Sequence, residues 1–229
     1  MDMYGQQNKS IPQKITIFIL EMVLLWVAYQ IMFGMWNSLV SGWIGTDVEN
    51  QSFTRKVIVF IFSLIVFFRI NAMMFFWLKR KIPWEESFSI PFAFALYFIG
   101  FAIFVLTCSK VFDWFDYLGI FIFLLGSFLN TFSEIQRNVW KKKPEHKGQL
   151  YTKGLFGLSM HINFFGDVLW VTAYAMLTRN WYAGIIPLWL FCFFAFYNIP
   201  KLDHYLSGKY GQQFEAYKSS TKKFIPFIY

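Results

Sequence analysis

The sequence predicts an all-α, multi-pass transmembrane helix bundle of about six spans, with five to seven compatible. Two observations carry this. Of the 229 residues, 57% are hydrophobic and only 15% charged, whereas soluble domains carry about 45–50% apolar residues. The apolar residues also fall into runs of about 20, the length that crosses a hydrocarbon core about 30 Å thick. A soluble fold of this size could not cover so much apolar surface.

Taken in order, the candidate spans are 15–36, 57–78, 88–107, 117–132, 164–178 and 181–198. The first run is too long for a signal-peptide core and lacks a small-residue cleavage site, so it reads as a retained helix. The fourth and fifth runs are short and are expected to extend into neighbouring loops. The whole chain, 1–229, reads as one integral membrane domain.

Basic residues test the count. With six spans, the segments on the side of the termini hold 16 Lys and Arg, and the opposite loops hold four: Arg55, Lys56, Lys110 and Arg179. That asymmetry places both termini in the cytoplasm. The formal charge of +8 therefore reads as membrane orientation and contact with lipid headgroups, and no nucleic-acid partner is expected. Cys108 and Cys192 lie in or beside apolar runs and read as free buried thiols.

Several polar residues interrupt this pattern. Glu21 and Arg69 lie inside the first and second spans, where a charge costs about 2.5–3.5 kcal/mol. Both fall in the cytoplasmic half, so they could pair, or could face a polar cavity. Asn130 and Glu134 are four apart and share a helix face, as do Asn163 and Asp167. Helix-end solvation explains either pair alone. Between them runs a basic loop with Arg137, Lys141, Lys142, Lys143, Lys147 and Lys153. It suits lipid headgroups or the phosphates of a nucleotide, and no glycine-rich dinucleotide turn is present. His161 has no companion ligands at metal-binding spacing, so no metal is expected.

The stretch LNTFSEIQRNVWKKKPEHKGQLYTKGLFGLSMHINFFGD, 129–167, resembles the cofactor-site segment of the steroid 5-alpha-reductase family. That family carries N-x-x-S-[DE], here Asn130, Ser133 and Glu134. A basic loop follows, then G-L-F-x-x-x-S-x-x-N-[FY]-x-G-[DE], here Gly154–Phe156, Ser159, Asn163, Phe164, Gly166 and Asp167. The end, FEAYKSSTKKFIPFIY, resembles the family's C-terminus. The resemblance covers about the last 100 residues, 129–229, read as a cofactor-binding half. A fainter likeness through VFFRINAMMFFWLKRKIPW puts Arg69 at an intramembrane arginine of the family.

Two departures stand out. The family usually has seven spans. The tyrosine expected three residues before the arginine, which helps polarise the substrate carbonyl, is Val66 here. Sterol reductases and isoprenylcysteine carboxyl methyltransferases share an R-H-P element, of which this chain keeps only His161, with Met160 and Ile162 on either side.

The resemblance implies NADPH-dependent reduction of a carbon–carbon double bond conjugated to a carbonyl, in a steroid or other lipid entering from the bilayer. It implies a cofactor pocket lined by Asn130, Glu134, Arg137, Lys141, His161, Asn163, Asp167 and Tyr217, with Arg69 on the substrate side. Glu21 is the candidate carbonyl-facing acid: burial would keep it a neutral donor, whereas pairing with Arg69 would ionise it. The alternatives are a methyltransferase using S-adenosylmethionine on the same scaffold, or a non-catalytic lipid-binding protein. The compartment implied is the endoplasmic reticulum in a eukaryote and the inner membrane in a bacterium.

Overall fold

The computed structural model describes residues 8–229, and every regular element among them is helical. Five helices are long and apolar enough to cross a membrane: α1 (Ile11–Met32), α3 (Phe53–Phe76), α4 (Trp84–Val105), α5 (Trp114–Lys141) and α7 (Trp181–Tyr210). A shorter apolar helix, α6 (Ile162–Thr178), has 17 residues, the lower end of the spanning range of about 17–25. Six spans fit these elements, and the chain is an integral membrane protein. Two polar-ended helices, α2 (Trp36–Ile44) and α8 (Gln212–Ser220), complete the set. The extreme N-terminus, assigned above to the cytoplasm, lies outside the described residues.

The helix ends follow local chemistry. Helix α1 opens on Pro12 in its first turn, where a missing N–H costs nothing. It stops at Met32 rather than running to Trp36. The Asn37 side-chain amide donates to the carbonyls of Ile31 (3.0 Å) and Met32 (3.1 Å), and the chain restarts as α2. Helix α4 follows Pro83 and carries Glu85 and Glu86 in its first turn, where carboxylates complement the helix dipole. Helix α5 continues past Phe132 to Lys141. Its 28 residues span about 42 Å at 1.5 Å per residue, so its polar last turns clear a core of about 30 Å. Helix α7 crosses Pro200 by adopting a π turn at Phe194–Asn198, which relieves the clash and missing donor of an internal proline.

The chain forms two compact units. One runs to Ile120 and includes Thr172–Ile186. Here α1 packs on α3 and α4 through a stripe of Ile17, Glu21, Leu25 and Ala28, spaced three or four apart on one face. Only 33% of the apolar window of α1 is buried, so most of its hydrophobic surface, Met22 and Trp26 included, is left for lipid. One end of this unit is tied by ions. Arg55 and Asp116, both fully buried, form a two-point pair at 3.0 and 2.6 Å. Arg179 joins at 3.1 Å from Asp116 and also bonds Asp113. Cys108 is a free buried thiol, as expected, and its sulfur accepts from Arg55 at 3.3 Å.

The other unit comprises Phe121–Val171 and Pro187–Tyr229. The C-terminal segment is strapped to the residues before α6: Met160 N–H donates to the Lys222 carbonyl (2.8 Å) and His161 N–H to that of Lys223 (3.1 Å). Ser159 Oγ donates to the Phe224 carbonyl at 2.8 Å. Phe224 itself is fully buried and stacks on Phe191.

Candidate functional site

The site begins with two glycines. A Cβ on Gly126 would stand 2.6 Å from the Gly166 carbonyl oxygen and the Trp170 nitrogen, and one on Gly166 would stand 2.6 Å from the Asn130 nitrogen. Only glycine lets the backbones of α5 and α6 approach this closely. One turn beyond Gly126, that approach brings Asn130 to the opposite helix, where its amide donates to the Asn163 carbonyl at 3.2 Å. A further turn along, Glu134 Oε1 accepts from the Asn163 amide at 2.9 Å. Glu134 Oε2 accepts from Arg137. Four of the expected cofactor residues thus form one connected network.

The network continues into the loop after α5. The Leu155 N–H donates to Gln136 Oε1 at 3.1 Å. Gly154 adopts φ 61° against the same side chain, a left-handed conformation that favours glycine. The Arg137 guanidinium lies 5.3 Å from the Phe156 ring centroid. The Tyr217 hydroxyl donates to the Phe156 carbonyl at 2.6 Å. Burial pushes the Tyr217 phenol up from its ordinary value. Tyr217 therefore braces the GLF turn with its hydroxyl committed to backbone.

The remaining expected residues sit apart from this network. His161 is almost wholly buried, and its Nε2 lies 2.8 Å from Asp203 Oδ1. Lys223 approaches the other Asp203 oxygen at 3.5 Å. Asp167 Oδ1 accepts from the Trp170 indole at 2.8 Å. Lys141, at the end of α5, is exposed.

In the first unit, Glu21 is fully buried, and its Oε2 accepts from the Asn71 amide at 2.6 Å. The pairing with Arg69 left open by the sequence is not formed: Asn71, two residues further on, takes that place. Residues 67, 71 and 74 lie on the buried face of α3, and two helical positions rotate Arg69 about 200° from Asn71. Glu21 Oε1 has no hydrogen-bond partner among the described residues. The same unit holds a buried hydroxyl that the sequence reading missed. Tyr174 is fully buried, stacks on Phe101 at 5.0 Å and donates to Ser63 Oγ at 3.3 Å. Asn71 and Asp203 were also missed. Asp203 lies 42 residues from His161, beyond any local pattern, whereas an amide two positions past an intramembrane arginine could have been noticed.

An all-helical integral membrane chain with an amide–carboxylate network where two helices cross defines a class of membrane-embedded helical proteins. Within that class, the chain belongs to the DUF1295 family, described as a protein of unknown function, whose model matches residues 21–221. Among curated proteins it is similar to the probable O-methyltransferase ustE of Ustilaginoidea virens, 34% identical over 92 residues, which cover 40% of this chain and 32% of that protein. It is similar to 3-oxo-5-alpha-steroid 4-dehydrogenase 2 of Homo sapiens, 32% identical over 114 residues, 49% of this chain and 42% of that protein. It is also similar to the Delta(14)-sterol reductase erg24 of Schizosaccharomyces pombe, 32% identical over 85 residues, 35% of this chain and 20% of that protein. The matched stretches thus span less than half the length of each relative.

Proposed function

We propose that the chain is a membrane-embedded, NADPH-dependent reductase of a carbon–carbon double bond conjugated to a carbonyl, acting on a steroid or other lipid. The observation that carries this reading is the Asn130–Asn163–Glu134–Arg137 network, assembled from the very residues that resemble the reductases' cofactor segment. The names of the steroid dehydrogenase and sterol reductase relatives support it.

The donor set suits the cofactor chemically. Amides and a carboxylate can bond ribose hydroxyls and a carboxamide, and Arg137 with Lys141 supplies cations for phosphates. When bound, NADPH supplies the hydride. Asn130, Asn163 and Glu134 hold and orient it, with Arg137 fixing the Glu134 carboxylate. Tyr217 keeps the GLF turn in place beside Arg137, and Asp167 adds a carboxylate one helical turn beyond Asn163. Glu21, neutral, keeps a proton on Oε1 and donates it as a hydrogen bond to the substrate carbonyl, stabilising the oxygen on which negative charge develops. Arg69 lines the substrate side. The Lys and Arg distribution puts the network and both termini on the cytoplasmic side, where NADPH is available.

A methyltransferase is the second reading, favoured by the similarity to ustE. Ligand-induced stabilisation separates the two. NADPH is expected to raise the melting temperature of the detergent-solubilised protein, and S-adenosylmethionine to leave it unchanged. The reverse result would transfer the site to methyl transfer.

A further inference from the structure

The buried charges of the first unit are each accounted for except one. Arg55 is paired with Asp116. Glu21 accepts from Asn71. Lys14 donates to the Leu78 carbonyl at 2.8 Å, just past the C-terminus of α3, where a cation complements the helix dipole. Lys56 is different. It is 8% exposed, and its ammonium meets Gln51 Oε1 at 3.1 Å with the Phe33 ring 5.8 Å away. Among the described residues no carboxylate comes within salt-bridge reach of it; the buried carboxylate nearby in sequence, Asp116, is taken by Arg55 and Arg179.

Its position makes that imbalance larger. Lys56 lies in the opening turns of α3, which has no acidic residue in its first turn. The N-terminal end of a helix already carries positive charge and unbonded N–H groups. A buried ammonium there calls for an anion. Around it is a built polar site. Gln51 Oε1 is shared between Lys56 and the Asn37 amide (3.1 Å), and Gln51 Nε2 donates to Ser41 Oγ at 2.7 Å. Asn37 is 7% exposed, and both its amide hydrogens go to carbonyl oxygens, yet its own Oδ1 has no donor among the described residues. The anion that fits would also bring a hydroxyl or N–H donor.

The surroundings are those of a lipid. On α2, which carries Ser41, and on the residue just before it, Leu39, Trp43 and Met35 are exposed, the last two at 76% and 79%. Phe53, in the same turn as Lys56, is 67% exposed. A tryptophan on a short helix between two spans marks the membrane–water boundary, where headgroups and acyl chains meet.

We infer that Lys56, Gln51, Asn37 and Ser41 form a headgroup site for an anionic phospholipid that carries a headgroup hydroxyl, of the phosphatidylglycerol kind. The phosphate neutralises Lys56, the hydroxyl donates to Asn37 Oδ1, and the acyl chains lie along the apolar residues of α2 and α3. This site is independent of the reductase reading, since it shares no residue with the Asn130–Glu134 network.

The test uses the full chain, delipidated in mild detergent. Phosphatidylglycerol should raise the melting temperature by several degrees and remain bound in native mass spectra. Phosphatidylcholine and inorganic phosphate at matched concentration should do neither. Lys56→Met should lose the response while melting no lower than the parent without lipid, because an unpaired buried charge has gone. Gln51→Glu places a counter-charge beside Lys56 and should also abolish the response, which keeps the inference testable if Lys56→Met fails to fold. Equal stabilisation by phosphatidylcholine, full stabilisation by inorganic phosphate alone, or an undiminished phosphatidylglycerol response in Gln51→Glu would each overturn it.

Discussion

Asn163 and Glu134, 29 positions apart, are joined by a 2.9 Å hydrogen bond from amide to carboxylate. Because Asn163 also gives its backbone carbonyl to Asn130, the bond fixes both helices to one residue. Asn163→Ala should leave Glu134 held by Arg137 alone and weaken NADPH binding by about 1–3 kcal/mol, the range for a hydrogen bond to a charged group. The cycle of Asn163→Ala with Glu134→Gln should show coupling of at least about 0.5 kcal/mol in calorimetric binding. Strict additivity would mean that the two residues do not act as one unit.

The glycine crossing should be intolerant of the smallest addition. Gly126→Ala puts a methyl group against backbone atoms 2.6 Å away, which cannot swing aside as a side chain can. Overpacking of this kind costs about 1–3 kcal/mol, and melting in detergent should fall accordingly. Gly119→Ala is the control, since its added Cβ meets only side-chain atoms at 3.6 Å. Equal stability of the two variants would remove the crossing as the element that assembles the network.

Tyr217 gives a pH signature. Burial raises the phenol's pKa above its unfolded value of about 10, so its neutral form is favoured by folding. The contribution is complete below that unfolded value and is lost as pH rises through the folded one. Tyr217→Phe should cost about 1 kcal/mol near neutral pH through the lost bond to Phe156. It should also flatten the alkaline fall in stability, read from denaturation midpoints between about pH 9 and 11. An unchanged alkaline slope would show that Tyr217 does not control it.

Glu21 and Asn71 separate structure from chemistry. Glu21→Gln keeps an oxygen for the Asn71 amide, so stability should change by less than about 1 kcal/mol. Asn71→Leu leaves a buried carboxyl with no partner and should cost about 1–3 kcal/mol. If Glu21 is the carbonyl donor, Glu21→Gln should cut turnover at least about tenfold, equivalent to about 1.4 kcal/mol of barrier, with NADPH affinity kept. Full turnover in Glu21→Gln would end its assignment as the acid.

Composition and apolar run length were enough to read the class and the approximate spans, because the bilayer fixes helix length so strongly. Helix ends were less legible. The first span stops at Met32 because Asn37, five residues on, caps it from the side. The fourth span ends at its last lipid-facing residue in the sequence reading, but α5 runs on to Lys141 because backbone bonding does not stop at the membrane surface. In the candidate site, residues four apart on one helix were correctly placed on a shared face. Contacts made across helices were not readable. Asp203 beside His161 and Asn71 beside Glu21 depend on how helices pack and rotate, which one sequence does not encode locally.

The π turn at Phe194–Asn198 acts as a phase shifter. A regular helix advances each residue by about 100°, so one residue more within a turn swings everything after it through a corresponding angle. Asp203 lies downstream of that turn and reaches His161 at 2.8 Å in this phase. Deleting a single residue from 194–198 would restore regular winding, yet it would carry Asp203 about a quarter-turn around the helix. The histidine would lose its carboxylate, and Lys223 its anchor, although neither they nor any residue they touch had been changed.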